Sequence, residues 1–512
     1  MKKATIALMV LSLILGCKQK QKEEISALPS QPNIVIFLVD DMGWQDTSVP
    51  FWDKKTPFNE RYRTPNMERL AAQGIKFTQA YAASVCSPSR VSLMTGMNAA
   101  RHRVTNWTLK KDQIQPMELD HPTLQFPEWN VNGMSPVAGI EKSAYSTPLP
   151  RLLQEAGYYT IHCGKAHFGA IGTPAADPIN LGFDVNIAGH AAGAPASYFG
   201  TQNFGNGMSG KKIWAVPGLE KYYGQDIFLT EALTREAKKA MGTAVAGKRP
   251  FFLYMAHYAV HVPIMGDDRF VQKYYDQGLD SIEAKYAAMV EGMDKSLGDL
   301  MDYLEDKKIA DNTIILFMSD NGGLSAHGRG GEPNTHNKPL ASGKGSAYEG
   351  GIREPMIVKW PGITAMNTLT DQQVIIEDFF PTVLEMAGIK NKPTVQKVDG
   401  QSFVPILEGQ KPNENRTLVW HYPNEWGVSG PGIGASSTVR KGDWKLIYFH
   451  ADQHLELYNI VDDIGELHNL AATEPDKLKV LAKVLSDYLR EVKAQMPVEK
   501  ATGKIVPYPD EI

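Results

Sequence analysis

The sequence predicts an α/β fold: a large mixed β-sheet sandwiched between helices, followed by a smaller domain with a short antiparallel sheet and one helix. Three observations predict it. Short runs dense in Ile and Val, such as Asn33 to Val39 and Thr313 to Met318, read as strands buried on both faces. Segments with apolar residues at three- and four-residue steps alternate with these runs, which is the pattern of a sheet covered by helices. After about residue 410 the pattern changes to short strands separated by turns. With 512 residues and 43% hydrophobic content, the chain can bury one extended core and a smaller second one.

The amino terminus opens with Lys2 and Lys3, then an apolar run from Ala4 to Leu15, then Gly16 and Cys17. The run is too short to span a membrane as a permanent helix, and residues 1–16 read as a signal peptide. Ile14, Leu15, Gly16 and Cys17 resemble a bacterial lipobox, which implies cleavage before Cys17 and acylation of that residue; a plain secretory signal cut nearby is the alternative. Acyl chains contribute about 0.8 kcal/mol per buried methylene, so two or more would hold the protein on a membrane. Residues 17–30 are then a polar tether. The expected location is the bacterial cell envelope, lipid-anchored on the periplasmic face or outer surface.

Residues 31–410 are expected to form the main domain. Asn66 to Gln73 reads as a helix behind Pro65 stopped by Gly74, and Pro150 to Ala156 as another stopped by Gly157. Pro250 to Tyr254 is strand-like. Ser281 to Lys307 is the clearest helix, with Tyr286, Met289, Met293, Leu297, Leu300 and Leu304 on one face. The stretch from Phe168 to Tyr222 is dense in Gly, Ala and Asn and has no regular pattern; a loop this long is expected to shape a substrate cleft. In residues 411–512, Thr417 to His421, Ser437 to Arg440, Trp444 to Phe449 and Leu455 to Ile460 read as strands, with Gly442 and Asp443 as a hairpin turn. An amphipathic helix over Pro475 to Met496 closes the chain.

The two Ile- and Val-rich strands end in Asp40 and Asp41 and in Asp320 and Asn321. Ligands bind beyond the carboxyl ends of strands in open α/β sheets, so both pairs fall where a site belongs. Carboxylate and amide oxygens suit calcium, with magnesium as the alternative, and do not suit zinc. A net charge of −4 without a basic run excludes nucleic acid as a partner.

The run Cys86, Ser87, Pro88, Ser89, Arg90, followed by Leu93, Thr95 and Gly96, resembles the signature of the formylglycine-dependent sulfatases, the type I sulfatases of the alkaline phosphatase superfamily. Gly157 to His167 is similar to the second signature of that family, with Ala166 where many relatives carry Trp. Pro250 to Pro263 resembles the segment that carries the family's leaving-group histidine, with Val260 in place of the usual proline. Asn337 to Arg353 resembles the stretch whose lysine reaches the sulfate. The resemblance implies that a maturase oxidises Cys86 to formylglycine (3-oxoalanine), whose hydrate attacks sulfur. It implies a metal held by Asp40, Asp41, Asp320, Asn321 and the modified Cys86. It implies that Arg90 helps gather positive charge, that Lys165 and Lys344 bind sulfate, that His167 contacts the hydrated aldehyde, and that His261 or Lys344 protonates the departing alcohol. The expected substrate is a sulfated poly- or oligosaccharide.

Two rivals stay open: a phosphonate or phosphodiester hydrolase of the same superfamily, and an unmatured glycan-binding lipoprotein. Trp107, Trp129, His421 and Trp426 are candidates for sugar contacts. His162 and His257 are expected to be core residues, and Glu349 and Arg353, at helical spacing, to pair with each other. With Cys17 lipidated and Cys86 oxidised, Cys163 is the one ordinary thiol and no intrachain disulfide can form.

Overall fold

Strand β1 (Asn33–Val39) is buried along its whole length and sits in the middle of the main sheet. The computed structural model describes residues 31–116, 120–390, 393–411 and 416–512; the expected signal peptide, tether and Cys17 lie outside the described residues. Around β1 the sheet adds β2 (Ile75–Tyr81), β3 (Tyr159–Gly164), β4 (Val185–Ile187), β5 (Phe251–Ala256), β6 (Thr313–Ser319), β7 (Arg353–Lys359), β8 (Thr368–Thr370) and β9 (Val374–Ile375). Their order is β8-β2-β7-β6-β1-β5-β3-β4, with β9 also pairing β2. Strands β6, β1, β5, β3 and β4 are parallel, whereas β7 runs antiparallel to both β6 and β2, so the sheet is mixed.

Alternation along β1 divides two cores. Val35, Phe37 and Val39 face one core and Ile34, Ile36 and Leu38 the other. The first core is covered by α1 (Pro65–Ala72), α4 (Leu229–Ala246) and α5 (Ser281–Asp306), the second by α2 (Cys86–Thr95), α3 (Leu149–Glu155) and α6 (Phe379–Met386). The stripe from Tyr286 to Leu304 on α5 packs into the first core, as its spacing predicts. Each such side chain contributes about 1.5–3 kcal/mol on burial.

The second sheet is β10 (Thr417–Tyr422), β11 (Ser436–Lys441), β12 (Trp444–Phe449) and β13 (Leu455–Asn459), an antiparallel meander in chain order. One face carries Val439, Leu446 and Leu457 against Leu481, Leu485 and Leu489 of α7 (Pro475–Glu491). That helix stops short of the predicted Met496. Lys493 takes a left-handed φ of 52° and Pro497 follows Met496, so the chain leaves helical geometry before the proline. Gln31–Ile512 form one compact unit that includes this sheet.

One buried contact joins the start of the main core to the small sheet. Asn98 Nδ2 donates to Glu377 Oε1 at 2.8 Å and to the Val419 carbonyl at 2.9 Å. Burial, with Asp378 beside it, pushes the Glu377 carboxyl up from 4.5 to about 8. The native state therefore holds a proton that the unfolded chain releases at lower pH. This stabilisation is complete below the unfolded value and is lost as pH rises through the folded one. Relative to Glu377→Gln, the wild type should lose about 4 kcal/mol between about pH 5 and about pH 9, read from urea unfolding midpoints; parallel curves for the two proteins would contradict this.

Candidate active site

Because β3, β5, β1 and β6 are parallel, their carboxyl ends meet at one edge of the sheet, and the residues that follow them converge there. Asp40 and Asp41 follow β1, Asp320 and Asn321 follow β6, and Lys165 and His167 follow β3. His261 lies on the loop after β5. Gly164 ends β3 with φ 104°, and a Cβ there would stand 1.9 Å from the Ala256 carbonyl oxygen, so only glycine lets Lys165 leave the strand at this point. Cys86 is the first residue of α2, a ten-residue helix whose N-cap, Val85, offers no capping side chain. Its amino-terminal N–H groups leave a partial positive charge at Cys86.

The charges at this edge are paired and out of water. Asp40, Asp41, Asp320, Asn321, Arg90 and Lys165 are each 0% exposed. Arg90 Nε donates to Asp320 Oδ2 at 2.8 Å, and its Nη1 donates to the Lys165 carbonyl at 2.9 Å. Lys165 Nζ donates to both oxygens of Asp40, at 2.8 and 2.7 Å. Lys344 Nζ stands 2.6 Å from Asp41 Oδ1, which also accepts from Asn321 Nδ2 at 2.8 Å. The Asp41 backbone N–H donates to Asp320 Oδ1 at 3.2 Å. Asp41 and His167 both hold left-handed backbone conformations, φ 61° and 56°, rare for residues other than glycine and typical of positions held for function.

Protonation follows from these contacts. Burial pushes the Asp41 carboxyl up, but Lys344, His261 and Lys165 outweigh it and leave Asp41 below the ordinary carboxylate range. Burial raises Asp40, with Asp320 and Asp41 adding to the effect against Lys165 and Arg90. Burial also raises the Cys86 thiol, so an unmodified Cys86 is a poor source of thiolate. His167 Nε2 lies 2.8 Å from the Thr108 carbonyl, which can only accept; the proton is therefore on Nε2, and Nδ1 keeps a lone pair without a hydrogen-bond partner. By the same logic His261 Nδ1 donates to the Val262 carbonyl at 2.8 Å, leaving the Nε2 lone pair 3.6 Å from Asp41 Oδ2. Burial, opposed by Asp41, brings His261 down to about 3, so its ring is neutral.

The donor set fits a hard divalent cation. Asp41 Oδ2 and Asn321 Oδ1 are buried and accept no hydrogen bond, which is costly unless something positive meets them. Donor atoms of Asp40, Asp41 and His261 lie within 4.8 Å of one another, which adds His261 to the predicted oxygen set. Carboxylate and amide oxygens dominate, as calcium or magnesium requires.

A cavity of about 550 Å³ opens beside this cluster, and Cys86, His167, His261 and Lys344 line it. Arg90 and Lys165 are not among its lining residues: Arg90 pairs with Asp320 and Lys165 with Asp40. Gly193 packs on the His167 ring, where a Cβ would lie 2.4 Å from Cε1. Of the four candidates for sugar contacts, Trp107 and Trp426 line the cavity. Trp129 is 2% exposed within the second core, and His421 is held by Ser437 Oγ and the Gln495 carbonyl, so both are packing residues. The unpatterned stretch does contribute to the cavity, through Gly193 to Ala196, Lys211 and Trp214. Trp214, Lys211 and His327 carry no motif that would have marked them. Ala166 packs in the second core rather than on the cavity, so the departure from Trp there leaves the lining intact. His162 and His257 are core residues as expected, the first among Phe168, Phe183 and Tyr254, the second bonded to Ser296.

This fold and site define a type I sulfatase of the alkaline phosphatase superfamily. The family model described as Sulfatase matches residues 32–389, and one described as N-sulphoglucosamine sulphohydrolase, C-terminal, matches residues 343–495. The chain belongs to the sulfatase family and is a sulfuric ester hydrolase. It is 31% identical to a protein from Formosa agariphila described as Sulfatase, over 98% of this chain and 96% of that one. It is 32% identical to N-acetylgalactosamine-6-sulfatase of Homo sapiens, over 93% of this chain and 88% of that one. Among solved structures, Ps i-CgsB in complex with k-i-k-neocarrahexaose matches at 27% identity with a TM-score of 0.71, over 90% of this chain and 93% of that one.

Millimolar calcium or magnesium should raise the thermal midpoint by about 3 °C or more, as a ligand at about 100 times its Kd stabilises by about 2.7 kcal/mol. Chelation should reverse the shift and Asp41→Asn should abolish it. A midpoint indifferent to both ions would mean that these oxygens do not form a cation site.

Proposed function

We propose that this protein hydrolyses sulfate esters on sulfated oligosaccharides, using a formylglycine made from Cys86 and a divalent cation held by Asp40, Asp41, Asp320 and Asn321. One observation carries the proposal: Cys86, at a helix start, lines the same cavity as His167, His261 and Lys344, within electrostatic reach of Lys165, Asp40 and Asp320. The relatives support the substrate class, since one is named for a 6-sulfated N-acetylgalactosamine and a structural neighbour holds a carrageenan-type hexasaccharide. We also propose, from the Ile14 to Cys17 sequence, that a maturase meets the chain during export and that Cys17 anchors it to the bacterial envelope. Among the described residues, no helix is long and apolar enough to cross a membrane.

The roles of this chain's own groups follow from their contacts. When in place, the aldehyde hydrate and the cation would supply a hydroxyl nucleophile and a Lewis acid toward sulfur. Arg90 and Lys165 position the carboxylates of Asp320 and Asp40, which would help hold the cation. His167, with its Nδ1 lone pair in a cavity-lining ring, is the base. Lys344 and His261 both line the cavity, but Lys344 carries a proton to give and His261 Nε2 carries a lone pair. Lys344 is therefore the acid for the departing oxygen, and His261 joins the cation's surroundings. The start of α2 adds a favourable partial charge for the sulfate.

Protein co-produced with a maturase should show the Cys86 peptide about 18 Da lighter, the mass change of thiol to aldehyde, and should release sulfate from an aryl sulfate and from N-acetylgalactosamine 6-sulfate. Cys86→Ala should retain less than about 1% of that rate, which corresponds to about 2.7 kcal/mol or more of barrier. Full activity of protein whose Cys86 still carries sulfur would refute the mechanism. Faster hydrolysis of aryl phosphates or phosphonates than of aryl sulfates would assign the site to those esters instead.

A further inference from the structure

We infer that the outer part of the cavity binds a second anionic group of the substrate, taken by Lys211, on a sugar that rests against Trp214, Trp107 and Trp426. The inference rests on the sulfated-oligosaccharide reading above and narrows it to substrates in which the sugar beside the scissile sulfate also bears a sulfate or a carboxylate.

The cavity has two ends of different character. Cys86 and Lys344, 4% and 3% exposed, mark its inner end, whereas Lys211 and His327 are exposed at its mouth. Among the described residues, no carboxylate lines the cavity. Lys344 is committed to Asp41 at 2.6 Å, but Lys211 makes no ion pair among the described residues, so its charge is not spent on balancing the protein. An ammonium without an ion pair, at the mouth of a cavity whose described lining holds no carboxylate, attracts an anion that the inner end, built for one sulfate, does not accommodate.

The aromatic residues supply the surface on which such a group would be presented. Lys211 is the N-cap of the 3₁₀ turn Lys212–Trp214. The Trp214 backbone N–H donates to the Lys211 carbonyl at 2.9 Å, so one turn presents both residues to the cavity. Trp426 connects the two ends: its ring lies 5.6 Å from Lys344 Nζ and meets His327 edge-on at 5.2 Å. Trp107 precedes Thr108, whose carbonyl fixes His167, so an indole and a predicted catalytic histidine share one short segment. Three half-buried indoles from three loops on one cavity are more than packing needs, and flat apolar faces are what sugar rings stack on. At about 550 Å³ the space falls in the range of pockets that hold a whole organic ligand, roughly 300–1,000 Å³, and exceeds what one sulfate fills.

The test is binding without turnover, on protein made without a maturase so that Cys86 stays a thiol. Titration calorimetry would compare a disaccharide with one 6-O-sulfate against the same disaccharide with a second sulfate on the neighbouring sugar. The wild type should bind the doubly charged compound about fivefold more tightly at low salt, the scale of one exposed charge contact. Lys211→Gln should remove that preference and Lys211→Arg should keep it, while Trp214→Ala should weaken both compounds about tenfold. Equal affinity for the two compounds, no binding of either, or a preference that survives Lys211→Gln overturns the inference. A failure to hydrolyse sulfate esters after maturation would instead count against the function proposed above and leaves this comparison readable.

Discussion

Three carboxylates at the ends of two neighbouring parallel strands set the terms for the rest of this molecule. Asp40, Asp41 and Asp320 are wholly buried, and an ion moved from water into protein loses several kcal/mol of solvation unless it is paired. The chain answers with three cations from three distant segments: Arg90 from α2, Lys165 from the end of β3, and Lys344 from the loop before β7. Each cation ties its segment to the sheet edge. The packed cores bring residues from about 40 to about 344 to one place, and the pairing offsets the cost of burying the carboxylates there. Two acceptor atoms, Asp41 Oδ2 and Asn321 Oδ1, are left over from that pairing, and they are the ones a cation would use.

The parts of the structure legible in the sequence were those with a strong local signal. β1 and β6 ran as predicted because a strand buried on both faces has to be continuously apolar, and the change to Asp or Asn marks where it leaves the sheet. The motif segments fell in register because their glycines and charged residues answer to backbone geometry, as at Gly164. What stayed hidden depended on contacts that composition does not encode. Trp129 and His421 were open between sugar contact and packing and are packing residues, since nothing local distinguishes a buried Trp from an exposed one. The partner of Lys165 was similarly hidden: spacing placed it at the site, but its pairing with Asp40 depends on a strand 125 positions away. Trp214 and Lys211 lie in a stretch held by single turns and backbone contacts, which has no period to read.

A second buried charge centre explains how the small sheet comes to serve the site. Glu349 is a hub: Arg353 lies 3.3 Å from it, Lys445 3.0 Å, the Tyr81 hydroxyl donates at 2.9 Å, and Arg440 lies 3.5 Å away. The expected pair of Glu349 with Arg353 is therefore one edge of a larger network. Lys445 also bridges to Glu466 at 2.8 Å, and Glu466 accepts from the Glu349 backbone N–H at 2.6 Å. Lys445 and Arg440 belong to the small sheet, while Glu349 closes the segment that carries Lys344. The position of Lys344 is thus coupled to the packing of residues more than 90 positions later, and the small sheet is a support for the site rather than an appendage.

The same coupling accounts for the division of labour across the cavity. Most inner groups come from strand ends and from α2, elements that the two cores hold, and the loop residues His261 and Lys344 are held against Asp41, as chemistry within a few tenths of an ångström demands. Outer groups come from loops: Trp107 from the segment after α2, Trp214 from the long stretch between β4 and α4, and Trp426 from the connection between β10 and β11. Loops change in sequence without cost to the core. A sulfatase with a fixed inner end and a loop-built mouth can keep one reaction while altering which sugar it accepts. Selectivity here should therefore be sought in the indoles and Lys211, not in the aspartates.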